Sequence, residues 1–256
     1  MAFDQPSEQR FRQLRIWNIA VGLILAAQAI MIVVLTNSFS LPVTATFMTG
    51  PPGTAPELHH LFNIATGWGV FAFLAISASA LLIIASPPVF PWYKRNLLQN
   101  RNYGRWIEYF FSSSIMIVLI SQITGISDIA ALLAIAGING CMILFGLLME
   151  KYEGPGKANW LPFWFGSFAG IIPWIAIVIY VWAPGLDASP PGFVYGIIAS
   201  LFVFFNCFAV NMVLQYKKVG PWRDYLFGEK VYIILSLTAK ALLAWQMFFP
   251  VLGSVQ

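Results

Sequence analysis

Charged residues are scarce in this chain: Asp, Glu, Lys and Arg together make up 9% of its 256 residues, whereas 59% of the chain is hydrophobic. A soluble domain carries about 25% charged residues, so the composition excludes an ordinary water-soluble fold. It indicates a protein that resides in a lipid bilayer. The formal net charge of +4 does not indicate nucleic-acid binding, because the positions of these charges matter more than their sum.

Cysteine is scarce as well. The two cysteines, Cys141 and Cys207, fall inside apolar stretches, so neither indicates a disulfide framework. An early apolar region is also missing from residues 1–15, MAFDQPSEQRFRQLR. We therefore expect a polar tail there rather than a cleaved signal peptide.

Long apolar runs take the place of the missing charge. A membrane-spanning helix needs roughly 20 apolar residues, and several segments separated by Pro- and Gly-rich connectors meet this requirement. Their approximate bounds are 16–35, 62–86, 104–123, 129–149, 160–183, 193–216 and 231–250. We therefore predict an all-α membrane protein, a seven-transmembrane helix bundle that forms a single domain over residues 1–256.

Basic residues are missing from every second connector. The chain has 14 Lys and Arg residues, and all except Lys240 lie before the first span or between spans 2 and 3, 4 and 5, or 6 and 7. By the positive-inside rule, the face that carries them is cytoplasmic. We therefore predict a multi-pass protein of the cell membrane, with its N-terminus in the cytoplasm and its C-terminus outside.

The longest outer connector, roughly 37–60, contains the sequence LPVTATFMTGPPG. Val43, Ala45 and Phe47 alternate there with threonines, and this period of two ends at Gly-Pro-Pro-Gly. The pattern predicts a short β-hairpin over the outer face, with an irregular Pro-rich loop as the alternative.

Two ionisable side chains stand out inside the predicted spans, Lys240 in the seventh and Glu108 in the third. A charge at the centre of a membrane helix costs at least ~2.5–3.5 kcal/mol, so such a residue indicates a function and requires a partner. At ~1.5 Å per residue, Lys240 lies ~15 Å and Glu108 ~9 Å from the inner boundary. The lysine side chain leans toward its own helix N-terminus, and hence toward the glutamate. Ser236 lies four residues before Lys240, and Ser112 lies four residues after Glu108. Each serine therefore lies on the same helix face as its charged neighbour.

The pairing of Lys240 with Glu108 admits more than one interpretation. It could be an ordinary buried salt bridge, and Glu108 alone could be an interfacial residue paired with Arg105 at i−3. A lysine amine, unlike the arginine side chain, can lose its proton when desolvated and form a Schiff base with a carbonyl. We favour this last interpretation, in which a large apolar ligand is attached to Lys240 and Glu108 compensates the positive nitrogen.

Such a ligand requires an apolar pocket, and 16% of the chain is aromatic. The candidate pocket residues lie in the middle of spans 3 to 7, although aromatic and Met side chains in membrane helices more often serve packing. They are Tyr109, Asn139, Met142, Trp164, Phe168, Phe204, Phe205, Phe208 and Trp245.

Seven spans with a lysine in the last and an acidic partner in the third resemble a microbial rhodopsin. The inverted termini, EYFFS at 108–112, SLTAKA at 236–241, RIWN at 15–18 and the long first outer loop are similar to heliorhodopsin. This resemblance implies all-trans retinal bound to Lys240, Glu108 as its counter-ion, and Ser112 and Ser236 in the hydrogen-bond network of the Schiff base. It also implies a photoreceptor rather than an enzyme, with a slow photocycle and no appreciable ion transport.

The resemblance further implies a homodimer formed through span 4, span 5 and the first outer loop. For a photoreceptor without transport, we expect helix movement to be read by a signalling partner on the cytoplasmic face. Small residues in span 4, such as Ala130 with Ala134 and Ala136 with Gly140, suit close helix contact in lipid.

The family is associated with histidines in a cavity near the Schiff base, and this chain departs from that pattern. Its two histidines, His59 and His60, lie at the outer start of span 2, and Leu25 stands at the position on span 1 that we match to a family histidine. We expect both histidines at the membrane interface or in the loop, with zinc or proton binding as the alternative.

Two other functions remain open: a light-driven ion pump or channel, and a non-photic transporter or receptor in which Lys240 and Glu108 bind a small polar solute. A proton pump needs carboxylates on both sides of the Schiff base. Glu108 is the only acidic residue clearly within a predicted span, and Asp128 lies in an outer connector. This argues against proton pumping but leaves chloride transport and passive conduction open.

Overall fold

Long apolar helices dominate the computed structural model, which describes residues 8–182 and 192–253. Within these residues, 7 helices are long and apolar enough to cross a membrane. The helices are α1 Glu8–Leu35, α2 Thr66–Ala85, α3 Phe90–Leu98, α4 Tyr103–Ile123, α5 Ile129–Tyr152, α6 Leu161–Val181, α7 Gly192–Tyr216 and α8 Tyr225–Gly253, and the strands are β1 Ser40–Phe47 and β2 Glu57–Ala65. The prediction of a seven-span helical bundle with a hairpin after the first span is confirmed.

Several helix ends differ from the predicted spans. Helix α1 begins at Glu8 instead of 16, and α8 begins at Tyr225 instead of 231, because both helices continue past the apolar region. Ion pairs hold both helix starts: Lys94 pairs with Glu8 of α1, and Arg10 of α1 pairs with Asp224, the residue directly before α8. Helix α2 begins four residues later than predicted because the preceding residues belong to β2. The predicted connector after span 5 and the tail after span 7 lie partly outside the described residues.

The short helix α3 was not predicted, because its segment, FPWYKRNLL, contains a proline and lies in a connector. Pro91 stands in the first turn, where a missing backbone N–H costs nothing. Tyr93 and Leu97 are buried on one face of this helix. Helix α3 therefore closes one end of the bundle, which we call the basic end because the Lys- and Arg-containing connectors lie there.

The hairpin covers the opposite end, which we call the hairpin end. Strands β1 and β2 pair antiparallel from Ser40 opposite Ala65 to Phe47 opposite Glu57. The pairing register shifts once, between Val43 and Thr44. Thr44 fastens the hairpin to the connector between α4 and α5, since its backbone N–H donates to the carbonyl of Ser127 at 2.9 Å. The hydroxyls of these two residues also form a hydrogen bond of 2.9 Å.

The spanning helices pack so that α2 lies beside α1, α4 and α8, while α5 lies between α4 and α6. Two glycines of α5 permit the close contact with α4: a Cβ at Gly146 would lie 2.4 Å from the ring of Trp106, and one at Gly140 would lie 2.7 Å from that of Phe110. Gly140 is therefore used for packing against α4 within the chain. Ala130 and Ala134 are exposed on the same helix.

Candidate functional site

Lys240 forms an ion pair with Glu108 in the middle of the bundle. The Nζ atom lies 2.8 Å from Glu108 Oε1 and 2.7 Å from Ser236 Oγ, the hydroxyl one turn earlier on α8. The Lys240 residue is only 3% exposed, and Glu108 is buried as well. The ammonium group also lies 5.1 Å from the ring centroid of Tyr109. The structure thus brings Lys240, Glu108 and Ser236 together, and Arg105 pairs with other carboxylates instead of with Glu108.

Sequence reasoning missed Ser77, which completes the surroundings of Glu108. This fully buried serine of α2 donates its hydroxyl to Glu108 Oε1 at 2.5 Å. Helix α2 contacts both α4 and α8, which explains how one of its side chains reaches the ion pair. The available signal was a small polar residue within an apolar span, which is weak because such residues also serve helix packing.

An apolar cavity of about 160 Å³ lies on the other side of Lys240. A cavity needs about 10–15 Å³ by this measure to hold one water molecule, so this cavity is large enough for a sizeable apolar group. About half of the residues that line it are aromatic or methionine. The aromatic and methionine residues are Trp106, Tyr109, Met116, Met142, Phe163, Phe205, Phe208, Met212 and Tyr232. The predicted pocket residues Tyr109, Met142, Phe205 and Phe208 thus face the cavity.

Ser112 also lines this cavity, and its Oγ atom is buried without a hydrogen-bonding partner. An unpaired hydroxyl in an apolar wall costs about 1–3 kcal/mol. Because it lines the same cavity as Lys240, it is available to a polar atom of a ligand bound there.

Other predicted pocket residues lie elsewhere. Trp164 is 65% exposed and Phe168 is 70% exposed, so both point away from the bundle, and the neighbouring Phe163 lines the cavity instead. Their assignment to the pocket is corrected: the helical phase of α6 turns them outward.

Asn139, Phe204 and Trp245 do not line the cavity either. Asn139 is buried and donates its side-chain amide to Ser113 at 2.8 Å, which joins α5 to α4. Trp245 packs against the main core and donates its indole N–H to Gln28 at 3.2 Å.

A second buried ionic group lies between the Lys240 site and the basic end. One guanidinium N–H group of Arg105 donates a hydrogen bond to Glu229, and another donates to Glu150 at 2.6 Å. All three side chains are buried. We call these three residues the Arg105 cluster. Its arginine also lies 3.9 Å from the ring centroid of Tyr232. The prediction that Glu108 is the only acidic residue within the spans is therefore wrong, because α5 and α8 extend past the predicted ends and carry both carboxylates into the bundle.

The two histidines are exposed on β2, as expected for residues in the loop. His59 lies 3.8 Å from the carboxylate of Glu57, and His60 forms a hydrogen bond of 2.8 Å with Asn63. Within the part of the chain that the structure describes, no group of three or more His, Cys, Asp or Glu side chains could hold a metal ion. Leu25 of α1 is buried in the hydrophobic core of the bundle.

The site combines an amine that can bind a carbonyl covalently, a carboxylate that compensates a positive nitrogen, and an aromatic cavity for the rest of the ligand. Together with the seven-helix bundle, it defines a protein of the microbial rhodopsin class. A crystal structure of the proton-pumping rhodopsin AR2 from the marine alga Acetabularia acetabulum is similar, with a TM-score of 0.67, 17% sequence identity, and coverage of 95% of this chain and 94% of that one. At this identity, the likeness shows the fold alone.

The family model of heliorhodopsin matches residues 14–252, and the chain therefore belongs to the heliorhodopsin family. Among curated proteins, no significant match is found. Heliorhodopsins are retinal proteins that act as photoreceptors and not as enzymes. The residues of this chain fit a retinal chromophore, because the cavity beside Lys240 is apolar and its wall offers the unpaired hydroxyl of Ser112.

Proposed function

We propose that this protein is a light-sensing photoreceptor that binds all-trans retinal through a Schiff base to Lys240, with Glu108 as the counter-ion. The observation that carries this proposal is the position of the Lys240 amine, 2.8 Å from a buried carboxylate and at the wall of an aromatic cavity. Bound retinal would supply the absorption of visible light and a change of shape on illumination.

The side chains around Lys240 have separate roles in this proposal. Glu108 holds a negative charge beside the lysine nitrogen, and Ser77 stabilises that charge with its hydroxyl hydrogen bond. Ser236 accepts a hydrogen bond from the nitrogen and restricts its position. The aromatic and methionine side chains exclude water from the cavity and hold the apolar part of the ligand.

We further propose a slow photocycle without appreciable ion transport. Proton pumping across the bundle needs carboxylates on both sides of the lysine. Among the described residues, the buried carboxylates are Glu108, Glu150 and Glu229, and all three lie between Lys240 and the basic end. The hairpin side offers buried polar groups such as Gln122 but no buried carboxylate among these residues.

The distribution of basic residues supports a cytoplasmic basic end, and hence a cytoplasmic N-terminus, by the positive-inside rule. On this orientation, a signalling partner would bind at the basic end. The exposed small residues Ala130 and Ala134 of α5 support a homodimer contact in lipid, together with α6 and the hairpin.

Purified protein incubated with all-trans retinal is expected to absorb visible light, and hydroxylamine, which cleaves retinal imines, is expected to remove the colour. The same protein in sealed vesicles is expected to cause no sustained pH change under illumination. A sustained change that an ionophore abolishes would favour a light-driven pump, and the lack of any visible absorption would favour a non-photic transporter.

A further inference from the structure

A small cavity of about 30 Å³, lined by both apolar and polar residues, separates the Lys240 site from the Arg105 cluster. Glu108 and Ser236 line it on one side, and Arg105 and Glu229 line it on the other. A cavity needs about 10–15 Å³ to hold a water molecule, and the water needs polar partners. Both conditions are met here, so the cavity is suited to a buried water that bridges the two sites.

Asn18 of α1 provides independent support for such water. This residue is 0% exposed and lines the cavity, and neither of its amide atoms makes a hydrogen bond of normal geometry, although the Tyr93 hydroxyl lies close to the amide. The Nε atom of Arg105 is also buried without a partner. Leaving such groups unpaired costs about 1–3 kcal/mol each, and water in the cavity would remove that cost.

The Arg105 cluster contains two carboxylates but one cation. Glu150 receives hydrogen bonds on both oxygens: Arg105 and Tyr225 donate to Oε1, and Trp106 and the backbone of Asn102 donate to Oε2. That is the environment of a carboxylate anion, which only accepts hydrogen bonds.

Glu229 receives fewer donors. Arg105 donates to its Oε1, and the side-chain amide of Asn102 donates to its Oε2 at 2.6 Å, while the residue is only 1% exposed. A second buried negative charge without a second cation is costly, and carboxylates that share one site retain a proton between them. Because Glu229 receives fewer hydrogen bonds than Glu150, it is the carboxyl group of the pair that can retain the proton.

Tyr93 of α3 also lines the cavity but does not compete for this role. Burial, together with the negative charge of Glu229, raises the pKa of the Tyr93 hydroxyl above its ordinary value, so it stays neutral.

We propose that Glu229 carries a proton on Oε2 in the dark and exchanges it with Glu108 through water held by Asn18. When the positive charge at the Lys240 nitrogen moves away from Glu108, the proton leaves Glu229 Oε2, passes through the cavity water and binds Glu108 Oε2. The negative charge then lies beside Arg105, and the proton returns when the positive charge does. Light as the driving event rests on the proposed function, whereas the proton on Glu229 does not.

The positions along the helices suit this exchange. Glu229 and Ser236 are seven residues apart on one face of α8, a distance of roughly 10 Å. Arg105 and Glu108 are three residues apart on α4 and face the same cavity. Because Glu108 and Glu229 both line this cavity, water inside it would connect the two carboxyl groups.

Infrared spectroscopy of the protein without retinal tests the first half of the proposal, because a protonated carboxyl group has a carbonyl band that a carboxylate lacks. We expect such a band at neutral pH. The Glu229→Asp variant should shift it, whereas Glu150→Asp should leave its frequency unchanged. Glu229→Gln should abolish it, and the matched control Glu153→Gln, at a partly exposed glutamate of the basic end, should not. A missing band, or one that Glu150→Asp alone shifts, would overturn the proposal.

Light-minus-dark infrared spectra of the retinal-loaded protein test the second half. Illumination should remove the Glu229 band and produce a new carboxyl band, which Glu108→Gln eliminates. Asn18→Leu, which cannot hold the water, should suppress both changes at least tenfold, whereas the exposed control Asn206→Leu should not. Unchanged light-induced bands in Asn18→Leu would refute the water path. If the protein bound no retinal, the proposed function would fail while the dark band could still be present.

Discussion

Replacing Arg105 by methionine removes the only cation of a buried cluster and leaves Glu150 without compensation. The guanidinium group contacts both Glu150 and Glu229 and stacks on Tyr232, so methionine replaces its volume but not its charge. Breaking a buried ion pair by removing one partner costs about 3–5 kcal/mol. For a protein of this size, each 1 kcal/mol corresponds to about 2–4 °C, so we expect the melting temperature to fall by about 6–20 °C.

The assay is thermal unfolding of the retinal-free protein in one detergent, where any effect of the chromophore is absent. Arg95→Met on α3 is the matched control, because Arg95 is exposed and such changes alter stability by about 0.5 kcal/mol or less. The double variant Arg105→Met with Glu150→Gln should recover part of the loss, because no uncompensated charge remains. Equal melting temperatures for Arg105→Met and Arg95→Met would refute the reasoning.

Three further changes test individual contacts. Gly146→Ala should destabilise the protein by about 1–3 kcal/mol because its Cβ would lie 2.4 Å from the Trp106 ring. The control Gly137→Ala should not destabilise it, because no atom lies within 4 Å of that Cβ. Equal unfolding curves for the two variants would contradict this prediction. Thr44→Val removes the hydroxyl hydrogen bond to Ser127, which should lower the free energy of unfolding by about 0.5–1.5 kcal/mol. It should also speed proteolysis of the hairpin relative to the exposed control Thr46→Val. Unchanged cleavage would show that this hydroxyl hydrogen bond does not hold the hairpin. Glu108→Gln should strongly shift the visible absorption maximum of the retinal-loaded protein, and an unchanged spectrum would exclude Glu108 as the counter-ion.

The features that depend on local sequence could be predicted. Lys240 and Ser236 lie one turn apart on a single helix, so their contact follows from helical geometry. The depth of Glu108 along its own span indicated its pairing with the lysine. The hairpin followed from alternation within eight residues. Each of these inferences needed only one segment, or two segments whose depth in the membrane was fixed by their ends.

The features that depend on packing between helices could not be predicted. Glu150 and Glu229 stand next to charged connectors in the sequence, and only their position against Arg105 shows that they are buried. Ser77 reaches Glu108 because α2 lies against both α4 and α8, which no spacing within α2 reveals. Trp164 was misplaced for a related reason: every face of α6 is apolar, so its sequence does not show which side faces the bundle.

The most direct test of the central claim is to find the residue that carries the chromophore. Retinal-loaded protein would be reduced with borohydride, which converts an imine to a stable amine, and then digested and analysed by mass spectrometry. We expect the retinal mass on the peptide that contains Lys240, and no adduct and no visible colour in Lys240→Ala. An adduct on a different lysine, or colour retained in Lys240→Ala, would contradict the account.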